Sequence, residues 1–166
     1  MAELKRRLEE LEFHDVITYI ASGNVILKSD KNADETRTAI ETMLPERFLL
    51  DTKLIKVLVL THRQLKSIVN NRPQGFGDQP DIYHSDAVFL IDLDSDQAMH
   101  VFHPREGVDM VWPGIGVIYS QRLSALRTKS RLSKIIGTPE YKSMTIRSWG
   151  TTIQLLALLE DAATRK

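Results

Sequence analysis

Val16-Ile17-Thr18-Tyr19-Ile20-Ala21-Ser22-Gly23-Asn24-Val25-Ile26-Leu27-Lys28 decides how the opening part of this chain folds. Two runs rich in β-branched and aromatic residues, Val16–Ala21 and Val25–Lys28, read as strands. Between them stands Ser22-Gly23-Asn24, where Gly and Asn supply the positive φ that a tight turn needs. Before this hairpin, Leu4, Leu8 and Leu11 recur at helical spacing among Lys, Arg and Glu, predicting an amphipathic helix over Met1–Glu12. After it, Asp34 offers a cap for a second helix carrying Ala39, Ile40, Met43 and Leu44 and ended by Pro45. Leu54–Leu60 is apolar and β-branched, and reads as a strand.

The rest of the chain has a similar rhythm. Thr61 can cap a helix bearing Leu65, Ile68 and Val69, and the Pro/Gly-rich segment Arg72–Pro80 reads as loop. Ala87–Ile91 is a predicted strand and Ser95–His103 a short helix. Val108–Trp112 and Gly116–Gln121 form a predicted hairpin around Pro113-Gly114, followed by a basic helix over about Thr128–Ile136. The last helix, about Gly150–Ala163, carries Ile153, Leu156, Leu159 and Ala163 on one face. This order predicts an α+β protein of two ferredoxin-like (split βαβ) units, 1–60 and 61–166, the second holding the basic segment and the terminal helix.

Composition narrows the chemistry. The 166 residues include 22 basic and 22 acidic side chains, are 42% hydrophobic and contain no cysteine. Disulfide scaffolds, Cys-based zinc sites, iron–sulfur clusters and thiol catalysis are thereby excluded. No secretory h-region is visible at the start and no apolar run approaches the ~20 residues of a membrane helix, so the expectation is a cytoplasmic protein with no membrane partner. Asp92-x-Asp94-x-Asp96 resembles the start of a calcium loop but has Gln97 where Gly is needed and His103 where a bidentate Glu is needed. His100 and His103 could face one metal from a helix, but a third ligand is not evident. Gly75-Phe76-Gly77 lacks the third glycine of a nucleotide fingerprint, and neither a Walker sequence nor a Gly-x-Ser-x-Gly elbow is present. No cofactor or metal is expected.

Overall neutrality conceals a segregation of charge. Asp81–Met110 holds seven acids against the single Arg105, whereas Gln121–Trp149 holds seven bases against the single Glu140. A stretch this basic, running into a helix start, suits an anion. Lys129, Ser130, Arg131, Arg147 and Thr151 are the candidate anion-binding residues. The alternative is that the two stretches solvate separate faces or pair across the fold. Ser148 or Thr151 can cap the last helix, Thr151-x-x-Gln154 matching a capping box, and Trp149 offers a large apolar face suited to the core.

Several of these segments together resemble the domain of unknown function 1697 family, widespread in bacteria. The resemblance rests on Met1-Ala2-Glu3-Leu4 through Phe13, Val16 to Val25 with its Ser22-Gly23-Asn24 element, Lys56-Val57-Leu58-Val59 and Ala87-Val88-Phe89-Leu90. It continues in Lys129-Ser130-Arg131-Leu132 and in Thr145-x-Arg147-x-Trp149-x-Thr151. It implies two ferredoxin-like halves and brings no activity, cofactor or substrate. Family members usually carry Asn where this chain has Ser148, and usually begin with an extra strand ending in Arg-Gly-Ile-Asn-Val-Gly-Gly. The expectation is therefore a first unit lacking its opening strand, with open sheet edges that a second copy could fill as a homodimer. A glycine-rich turn of that kind near Arg147 would make Ser22, Asn24 and Trp149 a candidate neighbouring site.

Three functions fit these observations. The first is a binding module for a phosphate-bearing ligand or single-stranded nucleic acid, favoured by the basic segment. The second is a small enzyme acting on an anionic metabolite, which lacks a convincing general base. The third is a protein–protein interaction module.

Overall fold

The computed structural model describes residues 1–20, 23–52 and 55–164. Its contacts divide the chain into two compact units: Met1–Gln64 with Gln154–Lys166, and Leu65–Ile153. The sequence predicts a division at 60 with the terminal helix wholly in the second part; here Gln154 onward groups with the first.

In the first unit, α1 (Ala2–Glu10) leads into an antiparallel hairpin of β1 (His14–Tyr19) and β2 (Asn24–Lys28), then α2 (Ala33–Arg47). Leu8 of α1, Phe13, Val16 of β1 and Met43 of α2 form the buried core, flanked by Leu4, Leu11, Val25, Leu27 and Ile40. α2 is capped by Asn32, not Asp34. The Asn32 side chain accepts the Glu35 N–H at 2.9 Å and the Glu35 carboxylate accepts the Asn32 N–H at 3.0 Å, a complete capping box. Pro45 falls inside the last turn instead of ending the helix.

The strand expected over Leu54–Leu60 is not formed in its described part, 55–60; Lys53 and Leu54 lie outside the described residues. A strand is defined by its ladder, and no described strand pairs with this segment; the Val57 N–H is taken instead by the Glu41 carboxylate at 2.7 Å.

The second unit is built on a four-stranded antiparallel sheet in the order β4 (Asp109–Gly114), β5 (Val117–Leu123), β3 (Tyr83–Leu90), β6 (Met144–Ser148). β4 and β5 turn at Ile115-Gly116, with Gly116 at φ 72, two residues later than the expected Pro113-Gly114. Pro113 instead sits in the edge strand, where a missing N–H is tolerated. α4 (Ser95–Met99), capped by Asp94, follows β3.

No α-helix covers Thr128–Ile136. The segment winds as 3-10 turns, Ser124–Lys129 and Leu132–Gly137, followed by Pro139–Ser143. Regular helix is interrupted by non-helical backbone at Leu126 and by extended backbone at Ser130, whose neighbour Arg131 gives its N–H to Asp109 and not to a preceding carbonyl. Leu132 and Ile135 nevertheless reach one face of the sheet, packing with Val88, Leu90, Phe102, Ile118 and Met144. On the other face Phe76 is fully buried against Trp112, Tyr119 and Trp149, and the Tyr119 hydroxyl donates to the Ile68 carbonyl of α3 (His62–Asn70) at 2.7 Å. α3 is capped as expected by Thr61, with Gln64 as the reciprocal partner. α5 (Trp149–Thr164) closes the chain.

Candidate anion-binding surface

Asp109 opens β4 and organises the basic segment. It is only 6% exposed, and its Oδ2 accepts the backbone N–H groups of Arg105 at 3.0 Å and Arg131 at 2.9 Å. Burial pushes this carboxyl up, but donation from the Arg131 and Arg105 backbone and the Ser130 hydroxyl, with the charge of Arg122, outweighs burial and holds it below the usual aspartate range. The Arg131 N–H is thus engaged by a carboxylate, not available to an exogenous anion, and the Ser130 Oγ accepts the Leu132 N–H at 3.2 Å. The Lys129 and Arg131 side chains, by contrast, are exposed and have no partner among the described residues. Arg127 and Lys134 are exposed on the adjoining 3-10 turns.

The second part of the expected site has a different character. Arg147 Nη1 donates to Thr145 Oγ1 at 2.9 Å and to the Ile146 carbonyl at 2.8 Å, and burial lowers its guanidinium below the ordinary arginine value. Ser148 caps α5, its Oγ accepting the Thr151 N–H at 3.2 Å, so the capping box at Thr151 is not used and the Thr151 hydroxyl pairs with that of Ser148. Trp149 is a core residue, edge-on to Phe76 with centroids 5.0 Å apart. A Cβ at Gly77 would stand 2.3 Å from its Cδ1, which fixes glycine at that close approach.

Strand register separates the two parts. Arg147 pairs with Ala87 and shares its sheet face with Tyr119, whereas Asp109, Arg122 and His84 form one cross-strand row on the opposite face. The structure therefore brings Lys129, Ser130 and Arg131 together around Asp109, and does not bring Arg147, Trp149 or Thr151 to them. Asn24 is buried in the first unit, its Nδ2 donating to the Tyr19 carbonyl at 3.3 Å across the hairpin mouth. Ser22 lies outside the described residues.

A cluster absent from the sequence reading lies on the Asp109 face. His84 Nε2 is 3.1 Å from Asp86 Oδ1, and Arg122 Nη1 is 3.9 Å from Asp86 Oδ2. Burial pushes the Asp86 carboxyl above its usual range despite both neighbours. The available signal was His84-x-Asp86, a spacing that places both side chains on one face of a strand; Arg122 joins only through the ladder.

Metal geometry is not assembled: among the described residues no three ligating side chains converge. α4 ends at Met99, so His100 and His103 do not share a helical face, and Asp94 serves as its cap. A separate cleft of about 410 Å³ lies beside the end of α3, bounded by Asn70, Pro73 and the ion pair Arg72–Asp78 at 2.9 Å. No helix among the described residues is long and apolar enough to cross a membrane.

A family model described as a protein of unknown function (DUF1697) matches residues 1–119. The chain belongs to this family. The match includes the hairpin and the Asp86 and Asp109 strands, while Lys129–Leu132 and Thr145–Thr151 fall outside it. A solved structure of a conserved bacterial protein from Streptococcus pneumoniae is similar, with 21% identity, a TM-score of 0.77, and coverage of 96% of this chain and 88% of that one. That likeness establishes a shared α+β fold for this DUF1697 chain. No curated protein matches it.

Proposed function

We propose that this DUF1697 protein is a cytoplasmic binding module whose 3-10 segment holds an extended polyanion, with single-stranded nucleic acid as the ligand. The carrying observation is that Lys129 and Arg131 are exposed and unpaired among the described residues while their backbone is pinned by the buried Asp109. A small phosphate ligand calls for donors that converge; here Arg127, Lys129, Arg131 and Lys134 follow one another along successive turns, an arrangement suited to a chain of phosphates. Arg147, already engaged by Thr145 and Ile146, is left out of this surface.

Fluorescence anisotropy with a labelled single-stranded DNA, titrated over a range of salt, tests the reading. Affinity falls steeply with salt, and the double substitution Lys129→Ala, Arg131→Ala weakens binding and reduces the log–log salt slope by about 1.4. Binding that ignores both salt and these two substitutions overturns it.

One observation favours self-association as an additional property. Among the described residues the sheet of β1 and β2 has two strands and 55–60 runs largely half-buried without a ladder, leaving backbone edges that a second copy can pair with as a homodimer. Sedimentation across a concentration series shows a dimer if this holds, and a monomer throughout rejects it.

A further inference from the structure

His84, Arg122 and Asp109 are direct cross-strand neighbours on β3, β5 and β4, and Asp86 is the next residue of β3 on the same face. Within this group the burial is graded. The Asp86 side chain is 15% exposed and that of His84 45%, so the carboxylate stands inside and the imidazole at the rim. An ionised carboxylate can only accept, so Nε2 carries the proton toward Asp86 and Nδ1 keeps its lone pair. No further hydrogen-bond partner of His84 exists among the described residues. An imidazole held by a carboxylate, with its second nitrogen free, is arranged to accept a proton. Arg122, 29% exposed, stands beside it with guanidinium donors for a phosphoryl oxygen. Asp109, the ladder partner of Arg122, also accepts the Arg131 N–H, so one cross-strand row links the backbone of the cationic segment to Arg122 and His84.

We propose that His84 is the general base of a metal-independent cleavage of single-stranded RNA on this surface, an inference that rests on the polyanion reading above. His84 Nδ1 takes the proton of a ribose 2′-hydroxyl. The 2′-oxygen bonds to the adjacent phosphorus as the bond from phosphorus to the 5′-oxygen breaks. The leaving oxygen takes a proton from water and the imidazolium returns its own to solvent. The products are a 2′,3′-cyclic phosphate and a 5′-hydroxyl, and no oxidant, reductant or metal enters the balance. Arg122 faces the charge on the non-bridging oxygens, and Asp86 is a positioning residue that holds the ring and its tautomer.

The test compares the full chain with H84Q, purified in parallel, on labelled single-stranded RNA and DNA of one sequence in the presence of EDTA. RNA alone is cut, to fragments ending in cyclic phosphate, and H84Q is slower by about 100-fold or more while binding the DNA as tightly as the parent. The charged groups facing His84 are Asp86 on its own strand and Arg122 on β5, with Asp109 on β4 beyond; Ser148 on β6, opposite Asp86, is neutral. D86N, which keeps the size of the side chain but loses the carboxylate that orients the ring, lowers kcat for the RNA while KM stays unchanged, as a positioning role requires. Equal cleavage by the parent and H84Q, or cleavage of the DNA, overturns the proposal. RNA that binds yet stays intact overturns catalysis alone, whereas failure to bind either strand removes the polyanion surface as well.

Discussion

At the scale of single residues, two aspartates on one sheet face have opposite energetic signs. Asp109 is held below the usual aspartate range in the folded chain, so its contribution is fully present above the unfolded value of about 3.9 and is lost as pH falls through the lower folded value. Asp109→Ala leaves two backbone N–H groups without their acceptor and destabilises the protein by about 3 kcal/mol, measured by urea unfolding at neutral pH. Asp86 is raised, because burial disfavours its charge, so stability falls as pH rises through the interval between its unfolded and folded values. Asp86→Asn therefore stabilises the protein at pH 7 by about 0.5–1 kcal/mol, read as a higher urea midpoint, whereas a lower midpoint shows that the His84 contact outweighs burial. The sequence shows both acids but not their signs. The environment of Asp109 is made by Ser130 and Arg131, distant along the chain, and no local pattern announces such a contact. Arg147 illustrates the converse error. Its proximity in sequence to a helix start suggested an anion site, and strand alternation sends its side chain to the face opposite Asp109.

Among elements, those with local signals were legible. The spacing of Leu4, Leu8 and Leu11, the Thr61 cap and the two β-branched runs of the β1–β2 hairpin each act over a few residues, and the corresponding elements formed. Elements defined by partners were not. The apolar, β-branched 55–60 has the composition of a strand but no ladder among the described residues, and the segment after β5 became 3-10 turns because Asp109 captured an N–H that a helix would have used. The loop before β3 carries a sharper constraint than its composition suggests. Gly77 sits at φ 77 with the rigid Trp149 indole where a Cβ would be. Gly77→Ala therefore meets both backbone strain and a clash, and destabilises by about 3 kcal/mol, whereas Gly75→Ala, with open space at its Cβ, meets only the strain and loses about 1–2 kcal/mol. Thermal unfolding followed by tryptophan fluorescence ranks the two; equal losses show that the loop yields to the indole contact.

On the scale of the whole molecule, the segregation of acidic and basic stretches resolves into a structural role and a surface role. Asp86 from the acidic stretch lies beside Arg122 from the basic one, and Asp109 takes the Arg131 backbone N–H, so part of the acidic stretch is engaged by the basic one inside the second unit. The remainder stays exposed as a run of cations, which is why a chain of zero formal net charge presents a basic surface. The α+β class was legible at this scale because periodicity reports layers; the division of the terminal helix was not, because nothing in its apolar face names the unit it packs with.

The shared acceptor at Asp109 also has a kinetic consequence. The amide protons of Arg105 and Arg131, far apart in the chain, end on the same carboxylate oxygen, so neither is released to solvent while that oxygen holds its place. Their deuterium exchange is therefore expected to be slow and synchronous, speeding up together in a single opening event that lifts the cationic run away from the sheet. One carboxylate thereby acts as a latch, making the mobility of that surface a property of the start of β4.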